Sequence, residues 1–181
     1  MEVDIRKANP AEYSEIIEVW ETSVRATHHF LSEEDIQFFK SKMADEYLPS
    51  VDLYITKASN EKISAFMGLS PNKIEMLFVR PEYIGQGIGS RLIEFAINDC
   101  GIRKVDVNEQ NPKALKFYEQ KGFHVISRDE TDSSGKHFSI LHLVYITPEI
   151  VEYVERVIIP QYRSFDKAHR EDLQEKYGPK G

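Results

Sequence analysis

One stretch restricts the fold more than any other. The apolar run Leu77-Phe78-Val79 leads through Arg80-Pro81-Glu82-Tyr83-Ile84 into Gly85-Gln86-Gly87-Ile88-Gly89-Ser90, where three glycines stand at alternate positions. Leu92, Ile93, Phe95, Ala96 and Ile97 then recur at helical spacing, and Gly101 follows as a stop signal. A strand must therefore become a helix across a segment whose glycines tolerate positive φ and let a ligand approach the backbone. Consecutive amides at such a helix start turn inward and cradle an anionic diphosphate, helped by the helix dipole.

Three kinds of ligand use loops of this sort. A nucleotide-phosphate loop needs Lys-Ser or Lys-Thr after its last glycine, and Ser90-Arg91 stands here instead. A dinucleotide fingerprint needs Gly-x-Gly-x-x-Gly inside a parallel βαβ unit, which the alternate spacing does not supply. The diphosphate of coenzyme A remains, with a ligand-free glycine turn as the plain alternative.

The flanking sequence reads as alternating strands and capped helices. Ile5 with Val3 suggests a short first strand, and Asn9-Pro10 with Glu12 makes a capping box before Ile16, Ile17, Val19, Trp20 and Val24. Ser32 followed by Glu33, Glu34 and Asp35 opens a second helix through Ile36, Phe39, Met43 and Tyr47, ending near Pro49. Runs 51–57, 63–69 and 74–79, joined by turns at Ser59-Asn60-Glu61 and Ser70-Pro71-Asn72, predict an antiparallel meander. Val105 and Val107 mark a fifth strand, Asn111-Pro112 caps a helix that ends at Gly122, and runs 123–127 and 138–146 flank a polar turn at 132–135. From Pro148 a short helix with Val151, Val154, Val157 and Ile158 precedes a charged tail, so the chain divides into 1–147 and an appendage, 148–181.

Composition bounds the rest. With 181 residues, 41% of them hydrophobic and 29% charged, the chain is a soluble globular protein with one ordinary core. No run is long enough to span a bilayer and the polar start is no signal peptide, which predicts a cytoplasmic protein with no membrane partner. A net charge of -7 argues against nucleic acid. Cys100 is the only cysteine, so there is no internal disulfide; His28, His29, His124, His137 and His142 lack the partners of a metal site, and no metal is expected.

A second segment, Val107-Asn108-Glu109-Gln110-Asn111-Pro112-Lys113-Ala114-Leu115-Lys116-Phe117-Tyr118-Glu119-Gln120-Lys121-Gly122-Phe123, follows the loop at matching separation. Together the two segments resemble the GNAT N-acetyltransferase superfamily, in which Asn111, Ala114, Tyr118, Gly122 and Phe123 match the pattern after the fifth strand. The resemblance covers nearly the whole chain through about Ile146. The segment Ser23-Val24-Arg25-Ala26-Thr27-His28-His29-Phe30-Leu31-Ser32 is most similar to the bacterial YjaB-like acetyltransferases. What this implies is a mixed α/β (α+β) GNAT-like fold. Its central, mostly antiparallel mixed sheet has splayed fourth and fifth strands and is flanked by helices. The activity implied is acetyl transfer from acetyl-CoA directly to an amine of a small molecule or peptide, and a homodimer is admitted. A coenzyme A-binding module without catalysis is the rival.

Acetyl transfer to an amine needs a neutral nucleophile, a stabilised oxyanion and a proton for the departing thiolate. The resemblance implies that Leu77, Phe78 and Val79 bind the pantetheine arm. Ile84, Gly85, Gln86, Gly87, Ile88, Gly89 and Ser90 form the diphosphate loop, and Asn111 both caps its helix and bonds the arm. Ile84 stands where the family usually has Arg or Gln, a departure that weakens diphosphate binding without removing it. Tyr118, a phenol protonated at neutral pH, is the candidate acid. Asp106, pointing away from Val105 and Val107, is the candidate that orients the amine or relays its proton, with Glu75 as rival. Arg25, His28 and His29 fall in the segment that borders the acceptor in the family, where a histidine near its ordinary pKa takes a proton.

Overall fold

The computed structural model describes residues 4–132, 135–153, 156 and 160. The chain divides into two compact units, Met1–Tyr145 and Ile146–Gly181.

In the first unit seven strands form one sheet in the order β1-β2-β3-β4-β5-β7-β6. They are β1 (Ile5–Lys7), β2 (Asp52–Lys57), β3 (Ile63–Ser70), β4 (Lys73–Val79), β5 (Lys104–Asn108), β6 (Phe123–Asp129) and β7 (Ile140–Tyr145). All neighbours run antiparallel except β4 and β5, which are parallel. Of the expected first strand, Val3 lies outside the described residues. The expected polar turn includes Ser133 and Ser134, which also lie outside them, and β7 starts at Ile140 rather than at Phe138.

Helices α1 (Tyr13–Thr27) and α2 (Glu33–Lys42) cover one face; α3 (Ile88–Asn98) and α4 (Pro112–Glu119) cover the other. β3 is buried on both faces and its side chains alternate between the two cores. Ala65, Met67 and Leu69 pack with Leu92, Ile93, Val105 and Tyr118, while Phe66 packs with Ile16, Val19 and Trp20. Local sequence writes the helix starts. Asn9 caps the 3-10 turn Pro10–Glu12 that leads into α1: its side chain accepts from the Ala11 amide at 3.0 Å while the Glu12 carboxylate accepts from the Asn9 amide at 2.9 Å. Ser32 and Asp35 make the same reciprocal box at the head of α2.

The second helix departs from expectation. α2 ends at Lys42 and the chain continues as a π-turn, Met43–Tyr47, and a short 3-10 turn, Leu48–Ser50. Met43 and Leu48 are both fully buried although five residues apart. A regular α-helix would set them about 140° apart, whereas the π spacing, closed by the Leu48 amide on the Met43 carbonyl, stacks them on one face.

Arg80 ties α1 to the end of β4. Its buried guanidinium donates to the Ile63 carbonyl at 2.8 Å and to Glu18 at 2.8 Å. The loop that begins at Pro81 therefore leaves from a fixed point.

In the second unit, α5 (Pro148–Tyr153) includes Val151; Val154, Val157 and Ile158 lie outside the described residues.

Candidate active site

The site begins with one extra residue in β4. Against β3, Met76 faces Gly68 but Ile74 faces Leu69, so Glu75 is a β-bulge. A bulge bends its strand and increases the local twist. On its other edge β4 pairs with β5 only at Lys73↔Lys104 and Ile74↔Val105. Beyond those two pairs the strands diverge and leave a wedge of about 120 Å³, lined by β4 from Ile74 to Phe78, by β5 from Val105 to Asn108, and by His28, Asn111, Ala114 and Tyr118. Gly68, beside the bulge on β3, has no room for a side chain, because a Cβ on it would lie 2.9 Å from Val51.

The glycine loop lies where β4 hands over to α3. Gly85 and Gly87 both take φ 83°, the left-handed region, and nothing within 4 Å would meet a Cβ at either. The first bond of α3 runs from the Arg91 amide to the Gly87 carbonyl at 3.1 Å. Among the described residues the amides of Gly85, Gly87, Ile88, Gly89 and Ser90 therefore donate to no protein acceptor, a set of donors shaped for a diphosphate. Gln86 folds back onto the loop, its amide nitrogen on the Glu82 carbonyl at 2.9 Å. Ile84 is 54% exposed and offers no donor.

α4 brings the other named groups to the wedge. Asn111 caps it, accepting from the Ala114 amide at 3.1 Å. Tyr118, two turns on, is 7% exposed, with its ring against Phe117 and Phe123. Its hydroxyl makes no hydrogen bond among the described residues, yet no buried side-chain polar atom there is left sealed without a partner. The hydroxyl thus opens onto the wedge. Burial pushes its pKa above the ordinary value, so it is a proton donor across the working pH range.

Asp106 reaches the wedge wall with both oxygens engaged: Oδ1 with His142 Nδ1 at 2.7 Å, Oδ2 with Lys73 Nζ at 2.8 Å. Lys73 also holds Glu75 at 3.0 Å, and His142 Nε2 lies 3.0 Å from Asp129. Burial raises the Asp106 carboxyl, but the bonds from Lys73 and His142 outweigh it and the net shift is down. His142 is pushed up by its bonds to Asp106 and Asp129. Sequence reasoning missed Lys73, His142 and Asp129. Their assembly depends on the register Asp106↔His142, a pairing of residues 36 positions apart in the chain, which no local pattern specifies.

A second cavity, about 460 Å³, adjoins the wedge and shares His28, Glu75, Met76 and Phe78 with it. Trp20, Val24, Phe39, Met43 and Tyr47 are among its apolar walls. The expected acceptor residues separate here. His28 and Glu75 stand at the border between the two cavities. Arg25 is exposed and held by Glu21 and Glu33 at 2.8 and 2.6 Å, and His29 is exposed in the turn after α1; neither lines either of these two cavities. His28 also departs from the expectation that it titrates near neutrality. Burial, with a smaller contribution from His29, lowers its pKa to about 4, so the ring is neutral.

Residues 18–139 match the model of the acetyltransferase (GNAT) domain. The peptidyl-lysine N-acetyltransferase YjaB of Salmonella typhimurium is 34% identical over 145 residues, 80% of this chain and 99% of that protein. The chain belongs to the GNAT acetyltransferase family. It is an acetyl-CoA-dependent N-acetyltransferase. The solution structure of apo YjaB from Escherichia coli superposes with a TM-score of 0.74 at 34% identity, covering 81% of this chain and 99% of that one. The PaiA N-acetyltransferase of Thermoplasma acidophilum, solved in complex with coenzyme A, matches with a TM-score of 0.60 at 25% identity, over 80% and 100% of the two chains. The mostly antiparallel GNAT sheet with splayed β4 and β5 is thus present, as the resemblance implied, and β4 and β5 pair in parallel before they part.

Proposed function

We propose that this GNAT enzyme acetylates the side-chain amine of lysine in a peptide or protein, within a catalytic domain spanning 1–147 and in the cytoplasm. The observation that carries the reading is the apolar cavity of about 460 Å³ that meets the wedge at Glu75 and His28. A lysine side chain has that character: an apolar stem that packs along hydrophobic walls and a cationic head that seeks a carboxylate. YjaB, the relative at 34% identity, is named for peptidyl-lysine acetylation, which supports the same class.

When bound, acetyl-CoA supplies a thioester carbonyl open to attack. The free amides of residues 85 and 87–90 suit its diphosphate, as the two glycines without Cβ neighbours suit the close approach. Asn111 and the unpaired edge of β4 at Leu77, Phe78 and Val79 suit the pantetheine arm. Tyr118 donates its phenolic proton to the departing sulfur, and its burial keeps that proton in place beforehand. Glu75 holds the incoming ammonium. Asp106, fixed by Lys73 and His142 and lowered in pKa, positions the floor of the wedge and is a poor base.

The test is an acceptor screen. Thiol release from acetyl-CoA should accompany acetylation of Nε in lysine peptides blocked at the α-amine, mapped by mass spectrometry. Acetylation confined to α-amines or polyamines would refute the lysine assignment, and coenzyme binding without any acetylated product would favour the non-catalytic module.

A further inference from the structure

A chain of hydrogen bonds fixes the orientation and tautomer of His28. The hydroxyl of Ser23 donates to the Val79 carbonyl at the end of β4, at 2.7 Å. The hydroxyl of Thr27 donates to the Ser23 carbonyl at 2.7 Å, which uses its only proton. Thr27 Oγ1 therefore accepts from His28 Nδ1, 2.8 Å away. On the other side, Asn111 Oδ1 is committed to the Ala114 amide, so its Nδ2, a donor, faces His28 Nε2 at 3.5 Å. Both ends give one answer: His28 carries its proton on Nδ1 and presents a lone pair on Nε2. The Asn111 contact is long enough to leave that lone pair to a better-placed donor. The ring is wedged against Phe30 and Phe78, with centroids 5.4 and 6.0 Å away, so it does not swing. Its low pKa agrees with the same neutral form.

His28 and Glu75 are also the two polar residues common to both cavities, so an amine passing from the acceptor cavity to the thioester meets both. A lysine ammonium loses one proton to become a nucleophile. It loses a second as the C–N bond forms and the C–S bond breaks; one equivalent ends on the thiol and the other in solvent. The neutral amine has two N–H groups and one lone pair. With both N–H groups held by acceptors, the lone pair has one direction left.

We infer that His28 is a specificity residue of this transfer: its Nε2 accepts one N–H of the attacking amine while Glu75 accepts the other, aiming the nitrogen lone pair at the thioester and disfavouring Nε-methyl-lysine, which has one N–H fewer. The inference rests on the lysine reading above and adds to it the group that orients the nucleophile. An ammonium can also donate an N–H to Nε2, but the aim given by two held N–H groups counts only once the amine is neutral and its lone pair attacks. Its loss therefore falls on kcat more than on KM.

The experiment measures kcat and KM for two otherwise identical peptides, one with lysine and one with Nε-methyl-lysine, using the full chain and the variants His28→Phe and His28→Gln. The full chain is expected to favour lysine by at least about 10-fold in kcat/KM. In His28→Phe, kcat on lysine should fall about 10- to 100-fold with KM within about 3-fold, and discrimination between the peptides should fade. His28→Gln restores a side-chain acceptor and should recover most of the kcat and the discrimination. Acetyl-CoA affinity should match across all three. Undiminished kcat in His28→Phe, or discrimination that persists there, overturns the role of His28, since persistence would mean that the methyl group is excluded by shape. Absence of turnover on both peptides by the unaltered chain overturns the lysine reading instead.

Discussion

Tyr118→Phe removes one oxygen from a buried ring and separates catalysis from packing. The ring keeps its contacts with Phe117 and Phe123, whose centroids lie 5.3 and 5.7 Å away. The lost hydroxyl has no hydrogen-bond partner among the described residues, so no group is left unpaired. Stability should therefore change by less than about 0.5 kcal/mol, or about 2 °C in Tm for a unit of this size. The rate should respond differently. If the phenol protonates the departing thiolate, its removal costs about 10²-fold or more in kcat, equivalent to about 2.7 kcal/mol of transition-state stabilisation. Acetyl-CoA affinity should stay within about 2-fold, because that proton matters in the transition state and not in the ground state. Melting temperature, calorimetric affinity and steady-state turnover on one preparation give all three numbers. Full turnover in Tyr118→Phe would refute the acid role. A loss of rate that tracked a loss of affinity or stability would make Tyr118 a packing residue.

Three further outcomes follow from the same geometry. Gly87→Ala places a Cβ in a left-handed backbone position, so it should cost about 1 kcal/mol in stability by thermal melting and weaken acetyl-CoA binding at least about 10-fold by calorimetry; unchanged affinity would remove the loop from the site. Ile84→Arg should tighten acetyl-CoA binding about 3-fold at low salt, with the gain fading as ionic strength rises, and no gain would mean that the side chain turns away from the diphosphate. Burial lowers the His28 pKa to about 4 in the fold, against about 6.5 when unfolded; the unfolded chain therefore binds more protons in between, and the stability that neutral His28 contributes is complete above about pH 6.5 and is lost as pH falls toward 4. Denaturant unfolding should show a loss of about 2 to 3 kcal/mol over that window, and His28→Gln should flatten it.

How far the sequence discloses this structure depends on the distance over which each feature is written. The caps at Asn9 and Ser32, the three strands of the meander and the left-handed glycines need only a few neighbouring residues, and all stand where the local pattern puts them. Asn111 and Tyr118 share the same wall of the wedge because seven residues are two helical turns. Arg25 shows the limit of proximity in sequence. Three residues from His28, it lies on the outer side of α1 with Glu21 and Glu33, while His28 turns inward past the helix end. Of the larger cavity the sequence offered only His28 and Glu75, and not the shape. Its walls come from α1, α2, the π-turn and strands β3, β4 and β7, and the π-turn stacks Met43 and Leu48 on one buried face.

The bulge at Glu75 joins what holds the sheet together to what opens it. A continuous β4 would continue pairing with β5 past Ile74, and the wedge would be filled by a ladder of hydrogen bonds. The extra residue turns β4 away after two pairs, so its edge from Leu77 to Val79 loses its strand neighbour on that side, and among the described residues only the Val79 carbonyl finds a replacement, the Ser23 hydroxyl. Unpaired backbone groups in a half-buried strand are costly unless something bonds them. An extended amide-bearing chain such as pantetheine is the kind of partner that such an edge takes. The divergence is pinned at its start by Lys73, which bridges Glu75 and Asp106 on the two strands at 3.0 and 2.8 Å just where pairing stops. The same bulge places Glu75 on the border between the two cavities, so under the proposed function one inserted residue opens the edge that suits pantetheine and carries the counter-charge for the amine.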